Sequence, residues 1–184
     1  MKKLLSKRIL RFAALVSLAC SLAANAEDNT REFQIKAAYL YNLIKFIDWP
    51  ATQNDSAEGN NIAATHICVL GRNPFGPHLD KLESRTANGK AIKVRYLNVG
   101  DNLANCDIAY LSKYLEHNPE MMQQLGDIQG LLTVGTTQQF IDTGGMIALV
   151  VVENSVQVRI NHSITKAAGF IVSGNLLEIA KVVQ

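Results

Sequence analysis

THICVLGRNPFG, residues 65–76, is the stretch on which the fold turns. Ile67, Cys68, Val69 and Leu70 form a short apolar run, too brief for a helix and β-branched enough for a strand. Gly71 ends it, and Asn73-Pro74 with Gly76 is turn chemistry. Pro77 suits the first position of a helix, where its missing N–H would have no helical partner. Strand, glycine turn and helix open a βαβ unit, whose loops are where α/β folds place ligands. Gly71 and Gly76 carry the spacing of a phosphate-binding loop, but Pro77-His78 stand where Lys-Ser/Thr should follow, so the nucleotide-triphosphatase reading fails. The loop is then either a structural turn or a contact loop, with Gly71, Arg72, Asn73 and Phe75 as its candidate contact residues.

Upstream, Phe33, Ala37, Leu40, Ile44 and Ile47 recur at helical steps from Arg31 onward, and Tyr39, Tyr41, Leu43 and Phe46 widen the apolar stripe. The pattern predicts a well-buried helix that Pro50 stops. Residues 51–63 are polar and read as a surface loop. Downstream, residues 78–84 are a short helix, Asn88-Gly89 a turn, and Ile92, Val94 and Tyr96 a strand with one wet face. Buried runs at 106–111 and 131–134 read as strands, with helices over 119–125 and 137–141. Met146 to Val152 and Val156 to Ile160 flank Glu153-Asn154-Ser155 as a hairpin. Residues 163–168 are helical, and Leu176, Ile179, Ala180 and Val183 predict an amphipathic last helix over 176–183, with Ser173 near its start. The class is α/β: a single mixed β-sheet flanked by helices, with an antiparallel hairpin near one edge.

The first 26 residues read as a leader outside this domain, which then spans 27–184. Lys2, Lys3, Lys7, Arg8 and Arg11 make a basic head, residues 12–23 an apolar run, and Ala24-Asn25-Ala26 a small-x-small cleavage site. The run is well short of the roughly 20 residues that span a bilayer. A secretory signal cut after Ala26 is the expectation, with an uncleaved anchor or a lipoprotein cut before Cys20 as alternatives. The lipoprotein reading suffers from Ser17, which stands where such a signal carries Leu.

The whole chain has 18 Lys and Arg against 16 Asp and Glu; without the leader the balance is 13 against 16, a net charge of −3. A mildly acidic domain gives no electrostatic support to a nucleic-acid or anionic-membrane surface. Of three cysteines, Cys20 leaves with the signal. Cys68 and Cys106 are an even pair in an oxidising compartment, most simply one disulfide.

Catalytic constellations are missing from the sequence. His66, His78, His117 and His162 are scattered without metal-ligand spacing, and there is neither a GxSxG elbow nor a GxGxxG fingerprint. Asp107, Asp127 and Asp142 fall at element ends, where turn and capping roles explain them. With both mature cysteines oxidised, no thiolate nucleophile remains. The expectation is a non-enzymatic protein without cofactor or metal. A binding role is better supported: Arg159 and Asn161 close the last long strand and are candidates to hold a small anion or a partner carboxylate.

Several stretches resemble the YfiR family of exported proteins: QIKAAYLYNLIKFIDWP at 34–50, HICVLGRNPFG at 66–76, CDIAYLS at 106–112, LLTVG at 131–135 and GGMIALVVVENSVQVRINHSITKAAGFIVSGNLLEIAKVV at 144–183. The resemblance implies a periplasmic α/β protein that dimerises and represses a membrane-bound diguanylate cyclase by binding its periplasmic domain. It further implies release of that repression by an OmpA-like outer-membrane lipoprotein, with cyclic di-GMP and biofilm formation as the output. Cys68 and Cys106 match the family's structural disulfide. A second pair found in some members has no counterpart, since residues 131–145 contain no cysteine. The alternative expectation is a periplasmic small-ligand sensor or binding protein of the same fold, with the 71–76 loop and Arg159 lining its pocket.

Overall fold

Residues 65–70 do form a central strand, because their alternating side chains have an apolar layer to enter on each face of a sheet. The computed structural model describes residues 30–50 and 64–183; the leader at 1–26 and the loop at 51–63 lie outside these. The described elements are α1 (30–46), β1 (Ile47–Asp48), β2 (Thr65–Leu70), α2 (Pro77–Asp80) running into a 3₁₀ turn (Lys81–Ser84), β3 (Thr86–Ala87) and β4 (Lys90–Leu97). Then come β5 (Ile108–Leu111), α3 (Pro119–Gly126), β6 (Leu132–Gly135), α4 (Gln138–Asp142), β7 (Ile147–Val152) and β8 (Ser155–Asn161). The chain finishes with α5 (His162–Ala167), β9 (Ile171–Val172), α6 (Gly174–Ile179) and β10 (Lys181–Val183).

Among the described residues, eight strands form one mixed sheet in the order β10-β8-β7-β6-β5-β2-β4-β3. From β4 to β7 neighbours run parallel, while β3–β4 and β7–β8 are antiparallel hairpins. Side chains alternate between two cores, as strand geometry requires. Ile67, Val69, Ile108 and Tyr110 pack beneath α1 with Leu40, Leu43 and Ile44, whereas Cys68, Leu70, Ala109 and Leu111 pack against Met121 and Leu125 of α3 and Ile141 of α4. Cys68 and Cys106 are bonded, with Cα atoms 5.8 Å apart.

Two elements differ from the reading of the sequence. The helix expected over 176–183 ends at Ile179, and Lys181–Val183 instead form β10, parallel to β8. Ala180 is already extended (φ −93°, ψ 150°), and Ile179, expected on the buried face, is 68 % exposed. The helical spacing is real, but two adjacent valines favour the strand, and β8 offers an unpaired edge to receive them. The first helix also stops before Pro50: Ile47 and Asp48 leave it to pair with Val172 and Ile171, and Ser173 N–H donates to Phe46 O (2.9 Å). Ser173 is the N-cap of α6, its Oγ accepting from Leu176 N–H.

Candidate functional site

The strand order reverses at β2. From β2 the chain crosses to β4 on one side, then returns to β5 on the other. The two exits leave on opposite faces, since Leu79 and Leu82 after β2 enter the α1 core and Met121 and Leu125 after β5 enter the other. In α/β sheets such a reversal opens a crevice at the carboxyl ends of the strands, and ligands are found there.

Here that crevice is sealed by direct bonds. Ser112, the residue after β5, places its N–H 3.1 Å and its Oγ 2.8 Å from Leu70 O, with the Oγ also 2.6 Å from Arg72 O. Gly71 (φ +83°) donates its N–H to Leu97 O (2.7 Å), tying the same loop to β4. A Cβ at this glycine would collide with the Tyr114 hydroxyl, so the tyrosine ring lies directly over the loop. Asn73 Oδ1 accepts from Phe75 N–H (2.9 Å), and Phe75 turns inward, edge-on to Phe33 and Tyr110 at 5.6 and 4.6 Å. Of the four loop residues picked out by the sequence, Gly71 and Phe75 are therefore anchors. Arg72 and Asn73 face outward.

Around this loop the structure gathers residues that were not among the contact candidates read from the sequence. Tyr114 is 61 % exposed and Tyr96 43 %. Tyr96 donates its hydroxyl to Asp80, and desolvation first, then that carboxylate, raises its phenol above the ordinary range. Behind the rim, Glu116 is fully buried and accepts from Thr136 N–H (2.7 Å), Thr136 Oγ1 (2.6 Å) and Thr137 Oγ1. Thr137 Oγ1 in turn caps α4 by accepting from Phe140 N–H. Burial, followed by the charges of Glu116 and Glu32, pushes the Tyr110 hydroxyl well above its usual value. Ser112, Tyr114 and Glu116 stand within six residues of the end of β5. The signal that would have found them is the position after the second strand of the reversal, invisible until the strand order is known.

Arg159 and Asn161 lie elsewhere. Arg159 pairs with Ala148 and Ala148 with Gly135, and one residue beyond the Val134–Tyr110 pair this row continues to Leu111, which pairs with Leu70, across β8, β7, β6, β5 and β2. Four strand spacings, about 19 Å, separate it from the 71–76 loop, so these two sets do not line one pocket. Arg159 Nη1 donates to Gln138 Oε1, and its Nε is buried without a partner. Asn161 is buried and caps α5, its Oδ1 accepting from Ile164 N–H (3.1 Å).

At the amino ends of the strands there is a cavity of about 1090 Å³, walled by Trp49, His66, Lys90, Arg95 and Asp107 among others. Asp107 Oδ2 accepts from His66 N–H (2.6 Å) and lies 3.8 Å from its imidazole, which clamps β2 to β5 beside the disulfide. Arg95 donates to Ala104 O (3.0 Å) at its wall. Among the described residues, no three His, Cys, Asp or Glu side chains cluster to hold a metal, and no helix is long and apolar enough to cross a membrane.

No curated protein matches the sequence. A solved structure, the ABC domain in complex with L-Trp from Streptococcus pneumonia, is similar with a TM-score of 0.48 at 11 % identity over 65 % of this chain. The match spans 55 % of that structure's length. The family model described as YfiR/HmsC-like matches residues 33–181, from the first turn of α1 to the first residue of β10. That match takes in all of the sheet but the last two residues of β10, together with the disulfide, and the chain belongs to the YfiR/HmsC-like family.

Proposed function

We propose that the protein is a periplasmic repressor of an inner-membrane diguanylate cyclase, acting by contact with the cyclase's periplasmic domain and so lowering cyclic di-GMP and biofilm formation. Membership of the YfiR/HmsC-like family supports a periplasmic regulator of cyclic di-GMP signalling. The observation that carries the finer reading is the sealed reversal point: where an α/β protein would open a crevice, Ser112 bonds across it, and exposed Tyr114 lies over Gly71, the neighbour of exposed Arg72. An exposed aromatic beside an arginine on a rigid loop suits protein contact, since Tyr and Arg contribute most per residue at interfaces. Residues 1–26 direct export and are cut after Ala26, leaving 27–184 as the working domain, a homodimer. Repression follows if this surface binds the inactive arrangement of the cyclase better than the active one. An OmpA-like outer-membrane lipoprotein relieves it by competing for the repressor.

The test is genetic. Deleting the gene should raise cyclic di-GMP, and the wild-type gene should lower it again. The combined change Arg72→Glu and Tyr114→Ala should leave an exported, folded protein that fails to restore repression. Unchanged cyclic di-GMP on deletion across growth conditions would sink the reading.

A second reading, a small-ligand sensor, is favoured by the cavity at the amino ends. A thermal shift against nucleotides and amino acids that disappears in Arg95→Ala would support it, and no shift across such a panel would count against it.

A further inference from the structure

The sheet ends at β10, and among the described residues no strand pairs with its outer side. Lys181 of β10 stands opposite Arg159 of β8 in the parallel register. Side chains at paired positions project from the same face, so two cations lie side by side about 5 Å apart at the backbone. Among the described residues, no carboxylate forms an ion pair with either; the ion pairs are Lys36–Glu32 and His66–Asp107. Asp142, on the helix covering this face, is engaged by Gln138 Nε2 (2.7 Å), while Gln138 Oε1 takes Arg159 Nη1. Arg159 Nε is left without a partner. Like charges directly across a ladder are destabilising, so the fold carries a local excess of positive charge at its open edge. On the opposite face of the same strand, Val182 stands beside buried Ile160 and is 41 % exposed.

We infer that the open edge of β10 accepts an extended segment of a partner protein in which acidic and apolar residues alternate. Added as a ninth strand, such a segment sets a carboxylate beside Lys181, within the positive field that Arg159 adds one strand further in, and an apolar side chain beside Val182 on the other face. Its backbone pairs with the outward N–H and C=O groups of β10, the mode of strand addition in which the ladder gives affinity and alternate side chains give specificity. A second copy of this chain does not suit the edge. Antiparallel pairing of two β10 strands about Val182 would gather two arginines and two lysines on one face. The inference concerns a surface five strands from the 71–76 loop and does not depend on what the protein regulates.

The experiment is fluorescence anisotropy of the purified protein with a labelled acetyl-(Val-Glu)₃-amide peptide. Saturable binding is expected, with at least tenfold weaker binding of the (Val-Lys)₃ counterpart and of the (Val-Glu)₃ peptide to Arg159→Gln. Lys181→Glu should reverse the preference towards (Val-Lys)₃, a readout that loss of folding would not produce. N-methylation of alternate peptide amides should abolish binding. Equal binding of both peptides, undiminished binding of the N-methylated one, or complete displacement by free glutamate would overturn the strand-addition proposal. So would a dimer that Lys181→Glu strengthens and the peptide cannot dissociate.

Discussion

Gly71 shows how much a single position carries at the carboxyl end of the sheet. Its φ of +83° strains any L side chain, and a Cβ would meet the Tyr114 hydroxyl. Gly71→Ala should cost about 2 kcal/mol, roughly half of it from the backbone and the rest from displacing the ring. Urea denaturation of Gly71→Ala, Tyr114→Ala and the double variant separates the two parts. Removing the ring should recover only the collision, leaving a cost of about 1 kcal/mol, so strict additivity would rule out the contact. Glu116 is the other decisive residue. Its carboxylate answers one N–H and two hydroxyls in a buried site. Glu116→Ala strands those donors and should lower stability by about 3 kcal/mol in the same assay, with Glu116→Gln falling well short of that.

The β7–β8 hairpin was plain in the sequence because Val156, Val158 and Ile160 alternate opposite an apolar run. Its turn is strained: Glu153 and Asn154 have φ of 48° and 61°, a two-residue loop of the kind that Asn-Gly fills best. Glu153→Asn with Asn154→Gly should raise stability by about 1 kcal/mol, seen as a higher Tm in a thermal melt. A lower Tm would mean that Glu153 makes a contact worth more than the relief. Elements with a strong period or an unbroken apolar run are legible in this way, among them the buried face of α1 and strand β4 by period and strands β2 and β7 by run. Short elements fixed by partners are not. Ile47–Asp48 and Ile171–Val172 are strands only because they meet each other, and Lys181–Val183 only because β8 lies beside them. The spacing of Leu176, Ile179, Ala180 and Val183 satisfies a helix as well as anything local can, and tertiary pairing overrides it. The proposed contact surface is half legible for the same reason: the 71–76 loop shows its turn chemistry locally, whereas Ser112, Tyr114 and Glu116 acquire meaning only when β5 returns beside β2.

Across the whole molecule, one covalent bond crosses the same reversal. Cys68 lies inside β2 and Cys106 two residues before β5, and the strands they join are already hydrogen-bonded neighbours in register. The folded state therefore needs no help from the bond to bring β2 and β5 together. Its effect lies mainly in the unfolded chain, where it closes a loop over a sequence separation of 38. In the chain-entropy account, closing a loop of that length is worth about 4 kcal/mol. Cys68 and Cys106 are both buried in the second core, and Cys68→Ala with Cys106→Ala removes only the two sulfurs from it. The double variant should keep its far-ultraviolet circular dichroism while its urea midpoint falls by the equivalent of roughly 3–4 kcal/mol. Protein taken from an oxidising compartment should have Cys68 and Cys106 two hydrogens lighter by mass, and free thiols in an oxidised extract would refute the pairing. If stability is lost but the Arg72 and Tyr114 surface still functions at low temperature, the bond serves the domain's survival outside the reducing interior. Loss of function in a variant that remains fully folded would instead tie the disulfide to the proposed contact surface, through the paired length of β2 and β5 that runs from the bond at one end to Ser112 at the other.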